Sequence, residues 1–91
     1  MNKLQHRKMS CENLAQIADI LERERGLNNK KLAETLGVSD AVFNNWKMGK
    51  NYPDQYAMCQ LRRLYGVTLD WIYCGDPSGL PQWIHQNLKL S

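Results

Sequence analysis

Glycine punctuates this chain. Gly26, Gly37, Gly49, Gly66 and Gly75 each follow a short run whose apolar residues recur at helical spacing. Glycine is the residue that most readily ends a helix, because it accepts the left-handed conformation at no steric cost. The runs between them leave room only for short helices. No stretch alternates apolar and polar residues as a half-buried strand does. The expectation is an all-α chain, a compact bundle of five or six short helices.

Caps and periodicity place the helices. The first ten residues lack periodicity and read as a basic N-terminal arm over 1–10. Ser10 then resembles an N-cap, with Glu12 in the first turn where the helix dipole favours a carboxylate. Leu14, Ile17, Ala18 and Leu21 share one face, and Arg23, Arg25 and Gly26 close a first helix over 11–25. Asn28 or Asn29 caps a second helix with Leu32, Ala33 and Leu36 inside. Ser39 caps a third, which carries Phe43 and Trp46 and ends at Gly49. Pro53 stands near the start of a fourth, whose inner face is Tyr56 or Ala57, Leu61 and Leu64. Thr68 caps a fifth over 69–74, and Leu80-Pro81 opens a sixth segment over 82–88.

This divides the chain into the arm, a helical domain over 11–75 and a C-terminal extension over 76–91. The extension carries Trp83, Ile84, Leu88 and Leu90, apolar groups that must pack on their own domain or on a second copy.

Composition narrows the function classes. Ninety-one residues make one domain, with little room for a deep cleft. The net charge of +3 arises wholly in residues 1–50, which hold nine Lys or Arg against six Asp or Glu. Residues 51–91 hold three of each. That asymmetry points to a polyanionic partner, with a solvated surface as the alternative. Cys11, Cys59 and Cys74 form no Cys-x-x-Cys pair, and His6 and His85 stand near the termini, so no zinc spacing exists. Free, buried thiols in a reducing cytoplasm account for the cysteines. Neither a signal peptide nor an apolar run of about 20 residues is present. No catalytic constellation appears, so neither an enzyme, a cofactor, a metal nor a small-molecule substrate is expected.

The informative stretch runs from Asn29 to Met48. Two short helices meet there across Gly37-Val38-Ser39, with the small Ala33 where they must approach closely. The run Leu-Ala-Glu-Thr-Leu-Gly-Val-Ser, followed by Phe43, Trp46 and Gly49, resembles the phage-repressor (Cro/repressor, XRE-like) helix-turn-helix family. Tyr65-Gly-Val-Thr-Leu-Asp-Trp-Ile-Tyr-Cys-Gly resembles that family's closing segment, so the likeness covers residues 14–75. It implies a lambda-repressor-like domain that binds double-stranded DNA by sequence, as a homodimer, to regulate transcription as a repressor. The setting it implies is the cytoplasm of a bacterial or phage-infected cell.

The residues themselves support that reading. A helix fits the major groove and reads base edges with its N-terminal residues. On the helix over 39–48, Asp40, Ala41, Asn44 and Asn45 face away from Phe43 and Trp46. Asn and Asp are weak helix formers, so this outer face is poorly chosen for stability alone. Asn can donate to and accept from adenine, and Asp can accept from cytosine. The resemblance carries base reading onto these four residues and makes Val42 a candidate for a thymine methyl. Lys30 and Lys31 lie in a first helical turn, where the dipole disfavours cations unless a phosphate covers them. The resemblance adds Asn28 and Asn29 beside Lys30 as phosphate contacts, with Ser39, Lys47 and Lys50 around the reading helix. It also implies dimerisation through the last segment, here Trp83, Ile84 and Leu88. The competing reading is a helix-turn-helix module that has lost DNA and binds a protein, as an anti-repressor or assembly factor would.

Overall fold

A computed structural model describes residues 1–89. Leu90, expected in the apolar tail, lies outside the described residues. Six helices follow in order: α1 (Lys3–Arg25), α2 (Asn29–Thr35), α3 (Asp40–Lys47), α4 (Gln55–Tyr65), α5 (Leu69–Cys74) and α6 (Gln82–His85). No strand occurs among the described residues. The all-α bundle read from the sequence is the fold observed.

Local chemistry sets most boundaries. Asn28, Ser39, Asp54 and Thr68 each accept a hydrogen bond from a backbone N–H one turn into α2, α3, α4 and α5. Such caps satisfy donors that a helix start otherwise leaves bare. Gly66 ends α4 at φ 78°, with the Pro81 ring packed where a Cβ would stand, 2.9 Å away. A side chain there is excluded both by backbone strain and by that contact.

The N-terminus departs from expectation. Residues 1–10 are not an arm: α1 begins at Lys3, so its first turns replace the irregular segment. Asn2 and Gln5 form a capping box, each side chain bonding the other residue's backbone N–H. Ser10, expected as an N-cap, is buried inside α1, where its hydroxyl donates to the His6 carbonyl at 3.0 Å.

One core joins all six helices. Leu14, Ile17 and Leu21 of α1 pack with Leu32, Leu36, Phe43, Leu61, Ile72 and Ile84. Phe43 meets Trp46 edge-on, 6.1 Å between ring centroids. This geometry is worth about 0.5–1.5 kcal/mol beyond the area that the rings bury. α4 turns Ala57, Met58 and Leu61 inward, while Tyr56 and Leu64 are exposed. The expected inner position of Leu64 is taken by Tyr65, one residue later, whose hydroxyl donates to Thr35.

The C-terminal extension packs on its own domain. Ile84 is fully buried, and Trp83 and Leu88 pack partly buried against the same core. The Arg25 guanidinium lies 4.2 Å from the Trp83 ring centroid, and the Lys89 N–H donates to Gln16. Ile84, expected at a dimer interface, is thus enclosed within its own chain. The helix there is also shorter than the 82–88 read from the sequence, ending at His85. The thiols need correction too, because Cys59 and Cys74 are exposed. Only Cys11 is buried. Burial raises its pKa against the opposing pull of Arg7, and its thiol donates to the Asn51 carbonyl at 3.2 Å.

Candidate nucleic-acid interface

α2 and α3 form one unit, joined by a tight turn. Leu36 closes α2, and the Val38 N–H returns to the Ala33 carbonyl at 3.1 Å. Gly37 holds the turn at φ 75°, a conformation that a residue with a Cβ adopts only under strain. Leu32, Ala33 and Leu36 of α2 bury against Phe43 and Trp46 of α3. Burying those two rings turns the opposite side of α3 outward.

That outer side carries the residues expected to read bases. Asp40, Ala41, Val42 and Asn44 are exposed, and Asn45 is half-buried. Among the residues expected at phosphates, Asn28, Lys30, Lys31, Ser39 and Lys50 are exposed, whereas Asn29 and Lys47 are half-buried. The Lys47 ammonium lies 5.8 Å from the Phe43 ring centroid, so its stem covers the core while its charge stays at the edge of α3.

One side chain ties the two helices together at this surface. The Asn29 amide nitrogen, on the first residue of α2, donates to Asp40 Oδ1 at 2.5 Å and to Asn44 Oδ1 at 3.0 Å. Both acceptors sit on the outer face of α3, one turn apart. Asn29 Oδ1 is buried with no hydrogen-bond partner. Asn29 thus spends its donors on the neighbouring helix and fixes two of the expected base-reading groups relative to α2.

A second set of contacts holds the chain just after α3. Arg7 Nε donates to the Gly49 carbonyl at 3.0 Å. His6 places one ring nitrogen 2.9 Å from the Tyr52 hydroxyl and the other 2.6 Å from the Tyr73 carbonyl. The Tyr52 hydroxyl in turn donates to the Lys3 carbonyl at 3.1 Å, and the Tyr73 hydroxyl donates to the Pro53 carbonyl at 2.8 Å. The first turns of α1 therefore clamp residues 49–52, which lead out of α3, and Tyr73 of α5 holds Pro53 after them. Sequence reasoning missed His6 and Arg7, since their partners lie more than forty positions away. One signal was present: Asn2 followed by Gln5 is the pattern of a capping box.

Among the described residues, no group of His, Cys, Asp or Glu is placed to hold a metal ion. No described helix is long and apolar enough to cross a membrane.

Comparison with known proteins agrees with this geometry. The model of a family described as helix-turn-helix matches residues 12–72. The chain is 30% identical over 56 residues to the HTH-type transcriptional activator BcrR of Enterococcus faecalis, a match covering 62% of this chain and 28% of that protein. It is 29% identical over 59 residues to Multiprotein-bridging factor 1 of Eremothecium gossypii, covering 65% of this chain and 39% of that protein. The chain therefore spans well under half the length of either relative. No solved structure matches it significantly.

Proposed function

This chain belongs to the helix-turn-helix family, and on that premise we propose that it binds double-stranded DNA by sequence and regulates transcription as a repressor. In this reading α3 lies in the major groove. Asn44 and Asn45 contact adenine edges, Asp40 accepts from cytosine, Ala41 leaves room for a base, and Val42 meets a thymine methyl. Asn28, Lys30 and Lys31 at the start of α2, with Ser39, Lys47 and Lys50 around α3, meet phosphates. The observation that carries the reading is the Asn29 bridge to Asp40 and Asn44. A polar outer face held in one arrangement has its recognition groups ordered before the ligand arrives, which reduces the entropy lost on binding.

The active form in this reading is a homodimer on an inverted repeat, acting in the compartment that holds the DNA. Trp83 and Leu88, both half-buried, retain edges that a partner copy could cover. The Enterococcus relative is named an activator, so a reporter fused to the selected site, read with and without the protein, tests the repressing sign.

A protein-binding role is the second reading. The exposure of Val42 and Met48, 41% and 62%, favours it, as does the name of the Eremothecium relative. Selection from random duplex DNA separates the two. Enrichment of an inverted repeat supports the first reading. Recovery of no sequence, together with no duplex binding, supports the second. On the selected site, Asn45→Ala is expected to cost about 1–3 kcal/mol while leaving random duplex nearly unaffected.

A further inference from the structure

The first turns of α1 lie beyond the segment that matches the family, and their charges are unexplained by packing alone. Lys3, Arg7 and Lys8 fall within the first two turns, and the first turn holds no acidic residue. The helix dipole opposes Lys3 in that first turn. Arg7 and Lys8 also adjoin the end of α3. Arg7 is fixed by its Nε on the Gly49 carbonyl, its only side-chain hydrogen bond among the described residues. The terminal amino groups of the guanidinium are thus left for an anion, on a side chain already held in place. Lys8 is exposed and lines a hollow with Cys11, Glu12, Lys47, Met48 and Gly49. Two lysines and one glutamate line that hollow, and Arg7 meets its edge at Gly49.

We propose that Arg7 and Lys8 are phosphate-binding residues that extend the DNA contact from the end of α3 onto the start of α1. The inference rests on the DNA-binding reading above. A guanidinium preorganised at Nε suits a phosphate oxygen pair, and Lys8 supplies a mobile point charge beside it. They add to the positive charge of Lys47, which ends α3, and of Lys50, which follows it. Such contacts carry no sequence information and set register on the duplex.

The test measures affinity for a random-sequence duplex across a salt series, for the full chain and for Lys8→Gln, Arg7→Gln and Lys31→Gln. Lys8→Gln is expected to lower the magnitude of the slope of log affinity against log salt by about one unit, with its thermal melt unchanged. Arg7→Gln is expected to lower the slope similarly, with a reduced melting temperature from the lost Gly49 bond. Should Arg7→Gln not fold, Lys8→Gln decides. A parental slope in Lys8→Gln, beside a reduced one in Lys31→Gln, overturns the proposal and leaves the DNA-binding reading standing. Absence of any salt-dependent duplex binding by the parent overturns both.

Discussion

Asn29, which opens α2, holds Asp40, which opens α3, through a 2.5 Å hydrogen bond from its amide to the carboxylate. The pair gives Asp40 a positioning contact through Asn29 beside its favourable charge in the first turn of its helix, and the proposed base reading is a third role to separate from these. Two variants separate them. Asp40→Asn keeps an acceptor for Asn29 and removes the charge that repels phosphates. Asp40→Ala removes both. Both are expected to bind random duplex more tightly, by an amount that salt screens. If Asp40 accepts from cytosine, both weaken binding to the selected site. If it acts only by positioning, Asp40→Asn retains that site and Asp40→Ala loses affinity for it. Either variant is expected to cost about 0.3–1 kcal/mol of folding stability through the dipole. Affinities for both DNAs at one salt concentration, with a melt alongside, give the answer. Tightening on both DNAs in step by both variants would remove Asp40 from base reading and from positioning alike.

Lys30 and Lys31 test the proposed backbone contact at α2. Both are exposed, and Asn28 caps the turn they occupy through the Lys31 N–H at 2.9 Å. Replacing either by Gln is expected to weaken all duplexes equally and to lower the salt slope by about one unit. The folded state should gain slightly, because a cation is removed from a helix start. Unchanged slopes in both variants would return these lysines to a purely solvated role.

The helix-turn-helix and its outer face were legible in the sequence because their determinants are local. Asn28, Ser39 and Thr68 cap helices that begin within one residue of them, and Phe43 and Trp46 fix which side of α3 is buried. What stayed hidden depends on distant partners. Residues 3–9 show no apolar stripe, since this part of α1 is held by His6 and Arg7 bonding to loops far along the chain. Likewise, Leu64 and Tyr65 both suit the inner face of α4 by spacing. The choice falls on Tyr65 because its hydroxyl finds Thr35 on α2. The Asn29 bridge was equally out of reach, because it requires the angle between α2 and α3.

Tyr73 predicts the alkaline limit of the fold. Its phenol is pushed up to about 12, first by burial and then by the neighbouring Asp54 carboxylate. A folded pKa above the unfolded value near 10 gives stability that is whole below that value and is lost as pH rises toward 12. Within that window the loss approaches about 1.4 kcal/mol per pH unit. Tyr73→Phe deletes this titration together with the bond to the Pro53 carbonyl. It is expected to be about 1 kcal/mol less stable at neutral pH, with a flatter decline under alkaline conditions. Urea unfolding of both proteins across that range checks the sign. Parallel declines would mean that another group sets the limit.

The C-terminal segment makes the last prediction, because burial within the chain and contact with a second copy respond differently to concentration. Ile84 is fully buried, against a core that α1, α4 and α5 also build. Ile84→Ala removes three carbons from that site and leaves a cavity, at an expected cost of about 2–5 kcal/mol. If the burial is intramolecular, the drop in melting temperature is the same at every protein concentration. If Ile84 instead served an interface, unfolding would be coupled to dissociation, and the drop would vary with dilution. Removing residues 82–91 extends the argument: Leu80 and the α1 surface under Trp83 would lose their cover, and the product should be strongly destabilised or unfolded. A well-folded product would show that the segment contributes little to the core. Melts of Ile84→Ala over a wide dilution series decide the point, and a concentration-dependent shift would move Ile84 back to an interface.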